Sequence, residues 1–110
     1  MNDKEVLAAL YVTVENRRDN PKEGSYTCYL LDKGIDKILK KVGEECSETI
    51  IAAKNGVNSE TVYETADLIY HLMVMPGQQG IPLDDVLAEL DRRSEKTGNL
   101  KKFHVVDKNS

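Results

Sequence analysis

TVYETADLIYHLMVM, residues 61–75, shows no strand-like alternation and leaves almost no face suited to water. Its strongly polar side chains are Glu64, Asp67 and His71, at i, i+3 and i+7, on one stripe of an α-helix. A helix that is apolar on its other faces is normally buried, so this stripe is expected to face a cleft or the interior. Carboxylates buried close together protonate unless a cation compensates them. One segment therefore sets two expectations, a helical protein and a site that gathers charge.

The flanking sequence extends the helical reading. Val6, Leu7, Leu10, Tyr11 and Val14 recur at three- and four-residue steps, predicting a first helix from about Asp3 to Arg17. Ser25 caps a short helix through Lys33, with Gly34 as its stop or a joint. A long helix follows over Ile35 to Lys54, ended by Asn55 and Gly56. Asn58 or Ser59 is expected to cap the decisive helix, Glu60 to Met75, which Pro76 and Gly77 stop. Pro82 suits the first position of a last helix, with Val86, Leu87 and Leu90 facing inward and Gly98 past its end. The expected fold is all-α, a bundle of about four to five helices. Residues 1–98 form one domain and residues 99–110 a polar tail, in which Phe103, Val105 and Val106 could form a brief strand.

Composition narrows the function classes. With 110 residues and 40% hydrophobic content there is room for one core and little more. A formal net charge of -4 argues against broad nucleic-acid binding, and an anionic substrate then needs a metal or clustered lysines. Cys28 and Cys46 have no zinc-like spacing, which fits a reducing compartment. No apolar run reaches the ~18 residues of a membrane span. No signal-peptide pattern opens the chain, so a cytoplasmic location is expected.

Two acidic clusters carry the chemistry, Glu44-Glu45-Cys46-Ser47-Glu48 and Glu64-Thr65-Ala66-Asp67. Residues three apart share a helix face, so Glu45/Glu48 and Glu64/Asp67 each form a two-carboxylate claw. Spacing alone is weak, because 19 acids in 110 residues give roughly three such pairs by chance. The apolar surroundings are the stronger signal. Carboxylate ligands without clustered Cys or His favour Mg²⁺, Mn²⁺ or Ca²⁺. Lys37, Lys40 and Lys41 precede the acids on the same helix, in the weaker order for helix stabilisation. As a group they are suited to phosphates. His71 reads as a satisfied core histidine or as support behind a ligand, and Cys46 as a packing residue.

Ser25-Tyr26-Thr27, Leu30, Gly34, Ile38, Lys41-Val42-Gly43-Glu44-Glu45 with Glu48, and Glu64 with Asp67-Leu68-Ile69-Tyr70-His71-Leu72 resemble the phosphoribosyl-ATP pyrophosphohydrolase family. That family lies within the MazG-like all-α nucleotide pyrophosphatases, whose signature is Glu-Glu-x-x-Glu followed by Glu-x-x-Asp; here 15 residues separate Glu48 from Glu64. The resemblance implies hydrolysis of phosphoribosyl-ATP to phosphoribosyl-AMP and pyrophosphate in histidine biosynthesis. It implies Mg²⁺ on Glu45, Glu48, Glu64 and Asp67, with Glu44 or Glu45 as catalytic base. Lys41 and Lys37 would contact phosphates, and Ser25, Tyr26 and Thr27 would border the substrate. A homodimer that completes the core is also implied. Pro76 departs from the family by ending its helix early, and Lys101 and Lys102 stand where the tail often has Glu-Lys.

Two rivals share parts of this pattern. A house-cleaning nucleoside triphosphate pyrophosphatase would use the same claws on free nucleotides. A non-catalytic helical association module would leave its acids merely solvated and release no pyrophosphate.

Overall fold

The computed structural model describes residues 5–94; the tail, Gly98 and the start of the chain lie outside them. Five helices follow in order, α1 (Val6–Asp19), α2 (Tyr26–Lys33), α3 (Ile35–Asn55), α4 (Asn58–Gln78) and α5 (Leu83–Ser94). The described residues contain no strand, so the all-α expectation holds. Ser25 caps α2 as expected, its hydroxyl oxygen accepting the Cys28 N–H at 3.2 Å. Gly34 serves as both stop and joint, donating to the Leu30 carbonyl and accepting from Ile38.

Only Gly56 and Val57 separate α3 from α4, which turns them into an antiparallel hairpin, the most extensive helix pair of the chain. α1 packs on α4, and α2 bridges α1, α3 and α4. The centre is small: Val14, Leu30, Ile38 and Val74, one side chain from each of the first four helices, are fully buried together. Leu31, Tyr70 and Met75 close over them. Each fully buried aliphatic side chain contributes about 2 kcal/mol, so this core alone is thin.

Several sequence expectations are corrected. α4 does not stop at Pro76 but runs through it to Gln78. Pro76 lacks an N–H and forfeits one helical bond, yet it and Gly77 are buried, and packing offsets the loss. The stop is Gly80, with φ +74°, where Ile81 N–H bonds to Pro76 O at 3.0 Å and Gly80 N–H to Gly77 O at 3.2 Å. That pair of bonds closes a helix around a left-handed residue, a conformation glycine adopts without strain. Neither Asn58 nor Ser59 caps α4; both lie inside it, and Val57 holds the cap position without a side-chain bond. Pro82 likewise precedes α5, its carbonyl accepting from Asp85 N–H at 3.1 Å. α1 begins at Val6 and extends to Asp19.

α5 is amphipathic but has no buried residue, and Leu87 and Leu90 are exposed rather than inward. Among the described residues it makes no extensive packing contact with another helix. Hydrogen bonds from Arg92 and Arg93 draw its Glu89 carboxyl down to about 2. The turn before it is tied to α1: the Tyr11 hydroxyl donates to Ile81 O, and Arg18 Nη1 donates to Gly77 O at 2.8 Å.

Gly77 is where α1 and α4 come closest, since a Cβ there would lie 2.5 Å from Val14 Cγ1. Val14 is fully buried and has no room to withdraw. Alanine at this position gains about 1 kcal/mol of helix propensity but costs about 1–3 kcal/mol in overpacking. Gly77→Ala is therefore expected to lower the melting temperature. Gly43→Ala, in the open surroundings of mid-α3, is expected to raise it. Matching shifts of one sign would contradict this packing.

Candidate metal centre

The two claws meet between α3 and α4. Single oxygens from Glu45, Glu48, Glu64 and Asp67 all lie within 4.8 Å of one another, and Glu45, Asp67 and His71 form an overlapping set. The stripe on α4 thus faces its counterpart on α3. Glu45 is 2% exposed, Glu64 and Asp67 are half-buried and Glu48 is open.

Thr49 locks the register of the pair. It lies one turn beyond Glu45, and its hydroxyl is 2.7 Å from Glu45 O and 3.1 Å from Glu64 O. A single threonine thereby ties the backbone of one claw to the backbone of the other. The sequence reading passed over it; its signal is its place on the Glu45 face of α3.

The charges are only partly compensated. Lys41 Nζ lies 3.3 Å from Glu45 Oε1 and 3.5 Å from Glu44 Oε2. Burial pushes the Glu45 carboxyl up, but hydrogen bonds from Asp67, Lys41 and Glu48 outweigh it and hold Glu45 ionised below its usual range. Glu48 moves the other way, raised by its bond to Glu45 and then by that charge. Asp67 is raised by burial, then by Glu45. Glu45 Oε2 and Glu64 Oε2 are buried with no hydrogen-bond partner. Leaving a buried acceptor unpaired costs about 1–3 kcal/mol, and more for a charged one. A hard cation fits this set, because it bonds the orphaned oxygens and cancels the repulsion at once.

The other expected residues separate by position. Glu44, one residue from Glu45, turns to the open side and pairs with Lys41. Lys37, half-buried one turn earlier, makes no ion pair among the described residues. Ser25 and Tyr26 line an open groove of about 680 Å³ with Tyr29. The Thr27 hydroxyl is bonded to the Tyr70 hydroxyl. Tyr26 stacks between Tyr70 and Tyr29 at 6.1 and 6.0 Å, and its hydroxyl lies 3.1 Å from His71 Nε2. Beyond Glu48 and Glu64 the hairpin opens into a cleft of about 420 Å³ that includes Ile51 and Tyr63.

Fold and site together define a class: an all-helical hairpin that gathers four carboxylates around a position for a hard cation. The family described as Phosphoribosyl-ATP pyrophosphohydrolase matches residues 7–94. A phosphoribosyl-ATP pyrophosphatase of Clostridium botulinum (strain Hall) is 52% identical over 101 residues, covering 92% of each chain. One of Limosilactobacillus fermentum is 56% identical over 95 residues, 86% of this chain and 90% of that protein. The Histidine biosynthesis bifunctional protein HisIE of Caldanaerobacter subterraneus is 56% identical over 92 residues, and the match spans only 45% of that longer protein. The chain belongs to the phosphoribosyl-ATP pyrophosphohydrolase family, and it is an enzyme of the hydrolase class.

The raised Asp67 carboxyl has a stability consequence. A carboxyl whose pKa rises on folding stabilises the fold below its unfolded pKa, and that contribution is lost as pH rises through the folded value. In metal-free protein near pH 7.5, Asp67→Asn is therefore expected to melt above the wild type. Below about pH 4 the two should converge. A D67N variant no more stable than the wild type at neutral pH would contradict the repulsion described here.

Proposed function

We propose that the chain hydrolyses phosphoribosyl-ATP to phosphoribosyl-AMP and pyrophosphate, as a Mg²⁺-dependent, cytoplasmic step of histidine biosynthesis. The observation that carries the metal reading is the pair of buried, unpartnered oxygens, Glu45 Oε2 and Glu64 Oε2, within the four-carboxylate set. Support for the substrate comes from the family and from relatives that match over nearly their whole length.

Glu45, Glu48, Glu64 and Asp67 would hold the ion. Mg²⁺ bound there neutralises triphosphate charge and lowers the pKa of a coordinated water. The chain's residues do the positioning. Lys41, at the edge of the carboxylate set, is assigned to the phosphates and to the charge that develops on the leaving pyrophosphate. Of the two carboxylates expected to accept the proton, Glu45 is the one inside the cluster and stays ionised, whereas Glu44 stands outside it. Tyr26 and Ser25 border the groove on the other side of Tyr26's stack and are assigned to the nucleotide.

Glu45→Gln should cut pyrophosphate release from phosphoribosyl-ATP by on the order of a hundredfold or more, and chelating Mg²⁺ from the wild type should match it. Release near the wild-type rate in either case would sink the assignment. A panel of free nucleoside triphosphates separates the house-cleaning rival, which predicts preference for those over the ribosylated adduct.

We also propose that the working form is a homodimer. Ile50, Val62 and Tyr63 are 69%, 68% and 69% exposed, on the same hairpin that carries the claws, and Ile51 and Ile69 of that hairpin are exposed as well. Large apolar side chains exposed in this number on one helix pair point to an interface. Sedimentation equilibrium should return about twice 12.3 kDa. Ile51→Asp should shift the mass to that of one chain or lower the melting temperature with dilution. A wild type that remains a folded monomer would overturn the proposal.

A further inference from the structure

His71 is 2% exposed and sits against the carboxylate set without being needed as one of its four oxygens. Both ring nitrogens are engaged. Nδ1 faces two oxygens of the same residue, Asp67 O at 2.8 Å and Asp67 Oδ1 at 3.3 Å. Both are acceptors, so Nδ1 carries a proton. Nε2 faces the Tyr26 hydroxyl at 3.1 Å, and in the neutral ring it accepts that hydroxyl's proton. The plane of the imidazole is set by edge-on contacts with Tyr70 at 5.0 Å and Tyr26 at 5.9 Å. Tyr26 is itself fixed as the first residue of α2 by the Ser25 cap.

An ordinary packing histidine needs only to satisfy its nitrogens. This one donates Nδ1–H to the Asp67 carbonyl at 2.8 Å while the same nitrogen lies 3.3 Å from the Asp67 carboxylate of the charged cluster, and its Nε2 is held by a separate helix. A histidine braced on one side, with its N–H close to a carboxylate ligand on the other, limits the directions that ligand can take. We propose that His71 and Tyr26 are positioning residues, which hold the Asp67 carboxylate in the orientation that a divalent cation requires. Deprived of the Nδ1 donor, a half-buried aspartate beside three other carboxylates turns away from them, because repulsion favours the outward rotamers. The inference rests on the metal reading above.

The test measures binding of Mn²⁺ alone, by the electron paramagnetic resonance signal of free Mn²⁺, on the intact chain. His71→Leu should weaken binding about tenfold. His71→Asn, whose amide can take the place of Nδ1 toward Asp67, should recover most of that loss. Tyr26→Phe keeps the ring stack and removes only the hydroxyl, and it should weaken binding by a smaller factor; it carries the test if His71→Leu fails to fold. In steady-state assays His71→Leu and His71→Asn should raise the Mg²⁺ concentration for half-maximal rate and leave kcat at saturating Mg²⁺ near that of the wild type. Wild-type Mn²⁺ affinity in His71→Leu and Tyr26→Phe, with a lowered melting temperature only, would overturn the positioning role. Failure of the wild type to bind Mn²⁺, or Glu45→Gln binding it unchanged, would overturn the metal reading and this inference with it.

Discussion

Like charges repel, and four carboxylates within 4.8 Å of one another need both a rigid frame and a compensating charge. The frame is the α3–α4 hairpin, closed by a two-residue link and pinned by Thr49 across the carbonyls of Glu45 and Glu64. Lys41 compensates one member from its own helix, while the bond and charge of Glu45 raise the Glu48 carboxyl, and burial and then Glu45 raise that of Asp67. Two buried oxygens still lack partners. These two oxygens are the observation on which the proposed cation rests.

Holding the claws in place also explains the uneven distribution of apolar surface. Val14, Leu30, Ile38 and Val74 make one compact centre on the side of α1 and α2. The opposite side of the hairpin carries Ile50, Val62 and Tyr63 into the open. The described helices leave these side chains uncovered. Tyr63, one of them, lines the cleft beside Glu48 and Glu64 together with the exposed Ile51.

The sequence made the helical class and the claws readable because both depend on local periodicity. Glu64, Asp67 and His71 stand out at helical steps in an apolar run, and the structure places all three inward. What periodicity missed were features set by tertiary contact. Pro76 reads as a stop on local grounds, yet it is buried and the helix runs on to Gln78, with Gly77 close against Val14 of α1. Leu87 and Leu90 follow an inward-facing pattern, but among the described residues both are left exposed. Thr49 looks like filler after Glu48, since its role depends on a carbonyl 15 positions away. Glu44 and Glu45 are indistinguishable as letters; the 100° between successive helical residues sends one into the cluster and the other to Lys41's open side.

Acidic spacing suffices for a metal but does not name a substrate, and the Ser25-Tyr26-Thr27 run that carries the family resemblance is remote from the claws in sequence. In the fold they are one object. Ser25 starts α2, Tyr26 reaches His71, His71 holds Asp67, and Asp67 and Lys41 both bear on Glu45. Thr27 ties the same helix to Tyr70, one residue before His71. The segment assigned to the nucleotide is therefore mechanically continuous with the carboxylates assigned to the metal. The His71 ring links the two, through the Tyr26 hydroxyl–Nε2 hydrogen bond at 3.1 Å on one side and the approach of Nδ1 to Asp67 Oδ1 at 3.3 Å on the other. That continuity is the physical reason a loop-and-cap motif and an acidic motif would travel together in one kind of enzyme.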